Sequence, residues 1–189
     1  MRALRIAIGL IAAALAAGTA AADSIEDKAA VCGACHGENG KPASPEIPII
    51  WGQTEGYIYI ELRDFKSGAR KNDLMAGIMA TLEKDDILAL ASYFSQKPWT
   101  NLGQPSADAA STKEAQIVSG SAQCEGCHLA GYLGESVTPR LAGQSETYLL
   151  KQMQAFRAKE RTNNAWMVDL LKTYSDQDMV ALAKYLAGL

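Results

Sequence analysis

The chain has 189 residues, 48% of them hydrophobic, and its 18 basic and 21 acidic side chains give a net charge of −3 at pH 7. This balance argues against a nucleic-acid-binding protein, because such proteins neutralise phosphates with clustered Lys and Arg. The chain contains only four cysteines and two histidines, and these small numbers limit how many sites can be built from such residues.

Residues 1–22 are typical of a secretory signal peptide. Arg2 and Arg5 form a basic start, an apolar run continues to Ala17, and small residues suited to cleavage follow. The run is shorter than the roughly 20 residues of a membrane-spanning helix, and an uncleaved membrane anchor is the alternative. We therefore expect export to the periplasm, with a mature chain of residues 23–189 that has 16 basic and 21 acidic residues and a net charge of −5.

The rest of the chain contains one module twice, with an offset of 91 or 92 residues. Equivalent pairs include Gly52-Gln53 with Gly143-Gln144, Tyr57 with Tyr148, Phe65 with Phe156, and Arg70 with Arg161. A repeat of this length indicates tandem domains, since the units of a solenoid span about 20–50 residues. We expect domains at 23–97 and 111–189 with a linker at 98–110, in which Trp99 either packs at the junction or is a lone surface aromatic.

Both halves are predicted to be helical, and no stretch shows the alternation of a β-strand. In each half, a first helix should run from a capping signal at Ser24 or Ser111 into a cysteine-rich motif. A second helix should follow Thr54 or Ser145, and a last helix, capped by Ser175 in the second half, should close each domain. The sequence therefore predicts an all-α protein.

Two five-residue motifs account for every cysteine and histidine in the chain. They are Cys32-Gly33-Ala34-Cys35-His36 and Cys124-Glu125-Gly126-Cys127-His128, and both have the Cys-x-x-Cys-His pattern of c-type haem attachment. The two thiols form thioethers with one porphyrin, and the adjacent imidazole binds the iron. A redox disulfide or a zinc site also uses Cys-x-x-Cys, but neither explains the adjacent His or the distance of 92 residues between the pairs. We therefore predict two covalently bound haem c groups.

The second axial ligand of each iron is predicted by elimination. The histidines and cysteines are already used, which leaves Met, Tyr, Lys, an amine terminus or an open site. Met75 and Met167 are equivalent in the repeat, and each lies 39 residues after its own histidine. The other methionines of residues 23–189 align with apolar residues and are expected in the core: Met79, Met153 and Met179. The predicted axial pairs are His36 with Met75 and His128 with Met167.

Two further pairs of equivalent residues are candidates for contacts around the haem groups. Arg70 and Arg161 could bind haem propionates or could be ordinary surface arginines, and the sequence favours neither alternative. Tyr57 and Tyr148 are better explained by packing against haem than by a role as redox relays.

The chain resembles the di-haem class I cytochromes c, most closely the cytochrome c4 family, over the whole of residues 23–189. The resemblance rests on both haem motifs, both Gly-Gln helix starts, both methionine positions and the helix that ends each half. It implies two tandem class I cytochrome c domains, each wrapped around one covalently bound haem. It also implies that the carbonyl oxygens of Pro48 and Pro139 accept hydrogen bonds from the proximal imidazoles. Ile50-Trp51 departs from the family pattern, which suggests unequal surroundings for the two haems.

Two protein ligands on each iron leave no position for a small-molecule substrate, so the expected function is electron transfer and not enzymatic catalysis. The expected protein is a periplasmic carrier of a respiratory chain. Its donor would be a quinol-oxidising complex or a dehydrogenase, its acceptor a terminal oxidase or another redox protein, and any membrane association would occur through these partners. The alternative is a di-haem subunit of a larger dehydrogenase, of the flavocytochrome c sulfide dehydrogenase or alcohol dehydrogenase type. A di-haem peroxidase is disfavoured because it would need further histidine ligands.

Overall fold

The computed structural model describes residues 24–189, so the predicted signal peptide lies outside the described residues. Helices provide the regular structure of this part of the chain, where an isolated bridge between Glu135 and Thr138 is the only β pairing. The prediction of an all-α protein is confirmed. Between residues 24 and 189, no helix is both long enough and apolar enough to cross a membrane.

The order of the helices is the same in the two halves. The first half contains α1 (Ile25–His36), α2 (Glu55–Ser67), α3 (Asp73–Ala80) and α4 (Lys84–Ser95). The second half contains α5 (Ala109–Ala122), α6 (Cys124–His128), a 3-10 turn (Ala130–Tyr132), α7 (Glu146–Arg157), α8 (Ala165–Leu171) and α9 (Asp176–Ala187). Helices α5 and α6 together correspond to α1, and α7, α8 and α9 correspond to α2, α3 and α4.

The start of α5 differs from the prediction. The sequence predicts a capping signal at Ser111, but the helix begins at Ala109, inside the predicted linker, and Asp108 is its N-cap. The Asp108 carboxylate accepts a hydrogen bond of 2.8 Å from the Ser111 N–H, and its negative charge is favourable at a helix N-terminus. The structure confirms Ser24, Ser145 and Ser175 as side-chain caps, and Thr54 occupies the predicted N-cap position of α2 without a side-chain capping hydrogen bond.

Each half has its own hydrophobic core. In the first half, residues from α1, α2 and α4 form a buried cluster: Ala29, Ile58, Leu90, Ala91 and Phe94. In the second half, α5 and α7 pack against α9, and their larger buried cluster includes Val118, Leu149, Phe156, Leu182 and Leu186. Met79, Met153 and Met179 are all buried, as the repeat predicted. These three methionines therefore pack in the interior, as expected for residues without a ligand role.

Trp99 packs where the two halves meet, between two equivalent glycines. A Cβ atom on Gly52 would lie 2.8 Å from the Trp99 backbone nitrogen, and one on Gly143 would lie 3.0 Å from the Trp99 indole nitrogen. The guanidinium of Arg140 stacks on the Trp99 ring, 4.4 Å from its centroid. Trp99 is therefore a junction residue, which was one of the two positions that the sequence allowed.

We expect Gly52→Ala to destabilise the protein more than Gly68→Ala. Both glycines have a positive φ, 68° and 78°, where an L-residue costs about 1–2 kcal/mol. A Cβ at position 52 would also collide with Trp99, whereas no atom lies within 4 Å of a Cβ at position 68. Urea unfolding of the two variants measures the difference in the free energy of unfolding. Equal losses of stability would show that the collision with Trp99 adds no cost to the strain at positive φ.

Candidate functional site

The first Cys-x-x-Cys-His motif forms the C-terminal end of α1. Cys32, Cys35 and His36 have helical spacing, so their side chains share one face of the helix. The Nδ1 atom of His36 lies 2.8 Å from the carbonyl oxygen of Pro48. Burial lowers the pKa of His36, against the opposing effect of this hydrogen bond, and favours the neutral imidazole. With Nδ1–H donating to Pro48, the lone pair of Nε2 is available to a metal ion.

The second motif forms the short helix α6 and repeats this arrangement. His128 is buried, and its Nδ1 atom lies 2.9 Å from the carbonyl oxygen of Pro139. Burial again lowers the histidine pKa, so the neutral imidazole presents its Nε2. Both prolines therefore have the role that the family resemblance implied. One local difference is a break at Gln123, whose φ of 52° separates α6 from α5, whereas α1 runs unbroken into its motif.

Neither pair of cysteines forms a disulfide, so all four sulfur atoms are available for thioether links. Burial raises the pKa of the Cys32 thiol to about 11, and it also raises the pKa of Cys124. Each half thus provides two thiols and one neutral imidazole on a single helix. This donor set fits a covalently attached haem, which needs two thioether links and one axial nitrogen.

The short helices α3 and α8 place Met75 and Met167 in equivalent positions. Each methionine is the third residue of its helix, and its backbone N–H donates to the side chain of the N-cap asparagine, Asn72 at 3.0 Å or Asn164 at 3.1 Å. Both methionines are half-buried, unlike the three that lie in the cores. The equivalence found in the sequence thus extends to the local structure, and iron ligation by these residues stays a prediction.

Arg70 and Arg161 lie between the two halves and not on the surface, with side chains that are only 10% and 7% exposed. Both guanidiniums bind the carboxylate of Glu61, with 2.7 Å between Arg70 Nη1 and Glu61 Oε2. Each arginine also donates to the tyrosine hydroxyl of the opposite repeat unit, Arg70 to Tyr148 at 3.1 Å and Arg161 to Tyr57 at 3.2 Å. In this structure, the four equivalent residues therefore form a polar cluster at the interface, centred on Glu61.

This interface cluster departs from the twofold symmetry of the repeat at one position. Glu61 corresponds to Gln152, whose Oε1 accepts hydrogen bonds from Arg70 at 2.8 Å and from Arg161 at 3.0 Å. Burial disfavours both charged guanidiniums, but the tyrosines and the Glu61 carboxylate outweigh it and raise the pKa of each arginine. Two buried cations therefore share one carboxylate. Sequence reasoning missed Glu61, although it lies four residues after Tyr57, on the same face of α2.

Comparison with known proteins identifies the family. The cytochrome c family model matches residues 112–189. Cytochrome c4 of Pseudomonas aeruginosa is 36% identical to the chain, and the alignment covers 98% of this chain and 96% of that protein. The chain belongs to the cytochrome c4 family. The crystal structure of reduced cytochrome c4 from Pseudomonas stutzeri matches with a TM-score of 0.78 at 33% identity, over 87% of this chain and 96% of that chain.

Membership of the cytochrome c4 family confirms the predicted cofactor and the predicted chemistry. Proteins of this family are di-haem c-type cytochromes that carry electrons and are not enzymes, so the chain is a di-haem electron-transfer protein with covalently bound haem c. A second relative is the thiosulfate dehydrogenase electron acceptor of Stutzerimonas stutzeri. It is 32% identical to this cytochrome c4 homologue, over 85% of this chain and 80% of that protein.

Proposed function

We propose that the chain is a periplasmic electron carrier of a respiratory chain, with two His/Met-ligated haems. The thioether links are at Cys32, Cys35, Cys124 and Cys127, and the axial pairs are His36 with Met75 and His128 with Met167. The observation that supports this ligand set most strongly is that both halves present the same local geometry. Each half has an imidazole oriented by a proline carbonyl, and a methionine at the third position of an asparagine-capped helix.

Haem, when bound, supplies an iron that gains and loses one electron. The chain contributes the ligands that set the potential of this change, since a methionine sulfur opposite histidine raises it. The proline carbonyls hold each imidazole in one tautomer and one orientation. Because His36 with Met75, and His128 with Met167, would hold the two irons, these residues would exclude substrates and favour electron transfer alone.

The location and the partners follow from the leader and from the charge of the mature chain. A signal peptide at residues 1–22 would direct the chain to the periplasm. The mature chain has a net charge of −5, which favours docking to basic surfaces of redox partners and makes the association rate fall as salt rises. A quinol-oxidising complex or a dehydrogenase is the proposed donor, and a terminal oxidase or another redox protein is the proposed acceptor.

A second candidate function is that of an electron-transfer subunit tied to one dehydrogenase. The relative named thiosulfate dehydrogenase electron acceptor favours a dehydrogenase as the donor, since it aligns over most of both chains. A free carrier should be monomeric by sedimentation and should exchange electrons with more than one protein. A subunit should co-purify with its dehydrogenase at a fixed stoichiometry.

Reduction and reoxidation of the purified holo-protein test the proposal. We expect rapid reduction by a quinol-oxidising complex or a dehydrogenase, and rapid oxidation by membranes that contain a terminal oxidase. Both rates should fall with rising ionic strength, because the partners are held by charge. A protein that is reduced only by one co-purifying dehydrogenase would support the second candidate instead, and one that membranes fail to oxidise would contradict the respiratory role.

A further inference from the structure

Two buried glutamines bridge the halves of the molecule in a reciprocal way. Gln53 and Gln144 are equivalent in the repeat, and they are only 4% and 3% exposed. The Arg140 N–H donates to Gln53 Oε1 at 2.7 Å, and Gln53 Nε2 donates to the Arg140 carbonyl at 3.0 Å. Gln144 makes the same pair of bonds with the backbone of Ile49, at 2.9 Å and 3.0 Å. Each glutamine therefore binds a backbone segment of the opposite half.

The residue that each glutamine contacts directly follows the proline that orients a haem-motif histidine. One peptide group links Pro139 to Arg140, so its carbonyl oxygen accepts from His128 Nδ1 at 2.9 Å while its N–H donates to Gln53. The first half repeats this chain of hydrogen bonds with His36, Pro48, Ile49 and Gln144. A continuous path of two hydrogen bonds and one peptide group thus joins each histidine to a side chain of the other half.

Both glutamine side chains are fixed by a further hydrogen bond. The Oε1 atom of Gln53 also accepts from the backbone N–H of Thr54 at 2.9 Å, and Oε1 of Gln144 accepts from Ser145 at 2.9 Å. Each carbonyl oxygen therefore has two N–H donors, which use both of its lone pairs. Each glutamine side chain therefore binds the N-cap residue of the helix that follows it. This bond holds the side chain in one orientation at the interface.

We propose that Gln53 and Gln144 are positioning residues that each tune the proximal histidine of the opposite half. A hydrogen bond accepted from the peptide N–H polarises the peptide group and strengthens its carbonyl as an acceptor. The stronger acceptor draws the histidine Nδ1–H and makes Nε2 a better electron donor, which favours ferric iron and lowers the reduction potential. This inference rests on the proposed assignment of His36 and His128 as proximal ligands.

The test is Gln53→Met in the holo-protein, with Gln144→Met as its mirror image. Methionine keeps the length of the side chain, but its thioether sulfur is only a weak acceptor for the N–H group. Gln53→Met should raise the potential of the His128 haem alone, and Gln144→Met should raise that of the His36 haem alone. NMR during a redox titration follows each haem separately, because the methyl signals of the two methionine ligands in the reduced protein should have different chemical shifts. Exchange of the Arg140 amide hydrogen should accelerate roughly fivefold in Gln53→Met, as expected for one lost hydrogen bond.

Gln104→Met is the matched control. Gln104 lies in the segment between the halves, and its Nε2 donates to the carbonyls of Gln144 at 2.9 Å and Ala187 at 3.3 Å. It makes no hydrogen bond to either proline-containing peptide group within residues 24–189. The same substitution there should therefore leave both potentials unchanged, even if it loosens the packing of the segment.

Three results would overturn the proposal: a changed reduction potential only for the haem in the half that carries the substitution, equal changes in the potentials of both haems, or no change in either potential. Should a variant fail to fold, the reduced wild-type protein gives a second test. A scalar coupling across the hydrogen bond is expected between the Arg140 amide nitrogen and the Gln53 side-chain carbonyl carbon, and its absence would also overturn the proposal. An incorrect ligand assignment would show itself differently, as a wild-type spectrum without low-spin His/Met features.

Discussion

Glu61→Gln is expected to lower the free energy of unfolding by about 3–5 kcal/mol, as is typical when one partner of a buried ion pair is removed. The Glu61 side chain is only 9% exposed, and it is the carboxylate that both Arg70 and Arg161 contact. It also accepts a hydrogen bond of 3.1 Å from Asn163. Without it, two guanidiniums would face each other in a region of low dielectric constant. Urea unfolding of the holo-protein measures the loss.

Glu46→Gln provides a matched control for this substitution. Glu46 pairs with Lys151 across the same two halves at 3.1 Å, but both side chains are 61% exposed. An exposed ion pair contributes about 0–1 kcal/mol, so this variant should unfold almost like the wild type. Similar losses in Glu46→Gln and Glu61→Gln would contradict the assignment of Glu61 as the residue that stabilises the interface.

Adding Gln152→Glu to Glu61→Gln should restore much of the lost stability. Gln152 is the equivalent of Glu61, and it already accepts hydrogen bonds from both arginines. A carboxylate at position 152 would therefore face the same two cations. If the double variant is no more stable than Glu61→Gln alone, the loss arises from local packing around α2 and not from unpaired charge.

Met75→Ala and Met167→Ala are each expected to remove one of two sulfur-to-iron charge-transfer contributions and to lower the potential of one haem. The reason is that methionine sulfur favours the ferrous state, and alanine leaves that axial position without a protein ligand. Absorption spectra of the oxidised protein and a potentiometric titration measure the two effects. A variant that kept both contributions would show that the substituted methionine is not an axial ligand.

Met79→Ala is the control for the methionine variants. Met79 is 0% exposed, and its replacement should cost about 2–5 kcal/mol of stability through the cavity that it leaves. Both charge-transfer contributions should nevertheless persist. Their loss in Met79→Ala would mean that the repeat has been aligned in the wrong register around α3.

The haem chemistry could be predicted from the sequence because covalent attachment requires fixed residue types at fixed spacings. Cys-x-x-Cys-His occurs twice, and the repeat offset of 91 or 92 residues identifies the equivalent methionines and helices of the two halves. The family resemblance implied that Pro48 and Pro139 bind the histidines, and in the structure both carbonyl oxygens lie within hydrogen-bond distance of a histidine Nδ1 atom. Such features are local, or they repeat in both halves, so a single sequence contains them.

Contacts between the halves could not be predicted, because they depend on how the two domains face each other. Arg70 was compatible with a surface position or with a haem propionate, and only the structure shows its partner, Glu61. Gln53 was treated as part of a helix start, and its bond to Arg140 depends on the orientation of the second half. The start of α5 was misplaced for a simpler reason, since Asp108 and Ser111 are both good N-caps and lie three residues apart.

The spin state of the iron in the oxidised, as-isolated protein tests the central claim most directly. If His36 with Met75 and His128 with Met167 fill both axial positions, electron paramagnetic resonance and absorption spectra should show low-spin iron in both halves. Exogenous cyanide should then bind slowly, because it has to displace a methionine. A high-spin signal from either half, or immediate binding of cyanide by both, would contradict an electron carrier with two closed haem sites.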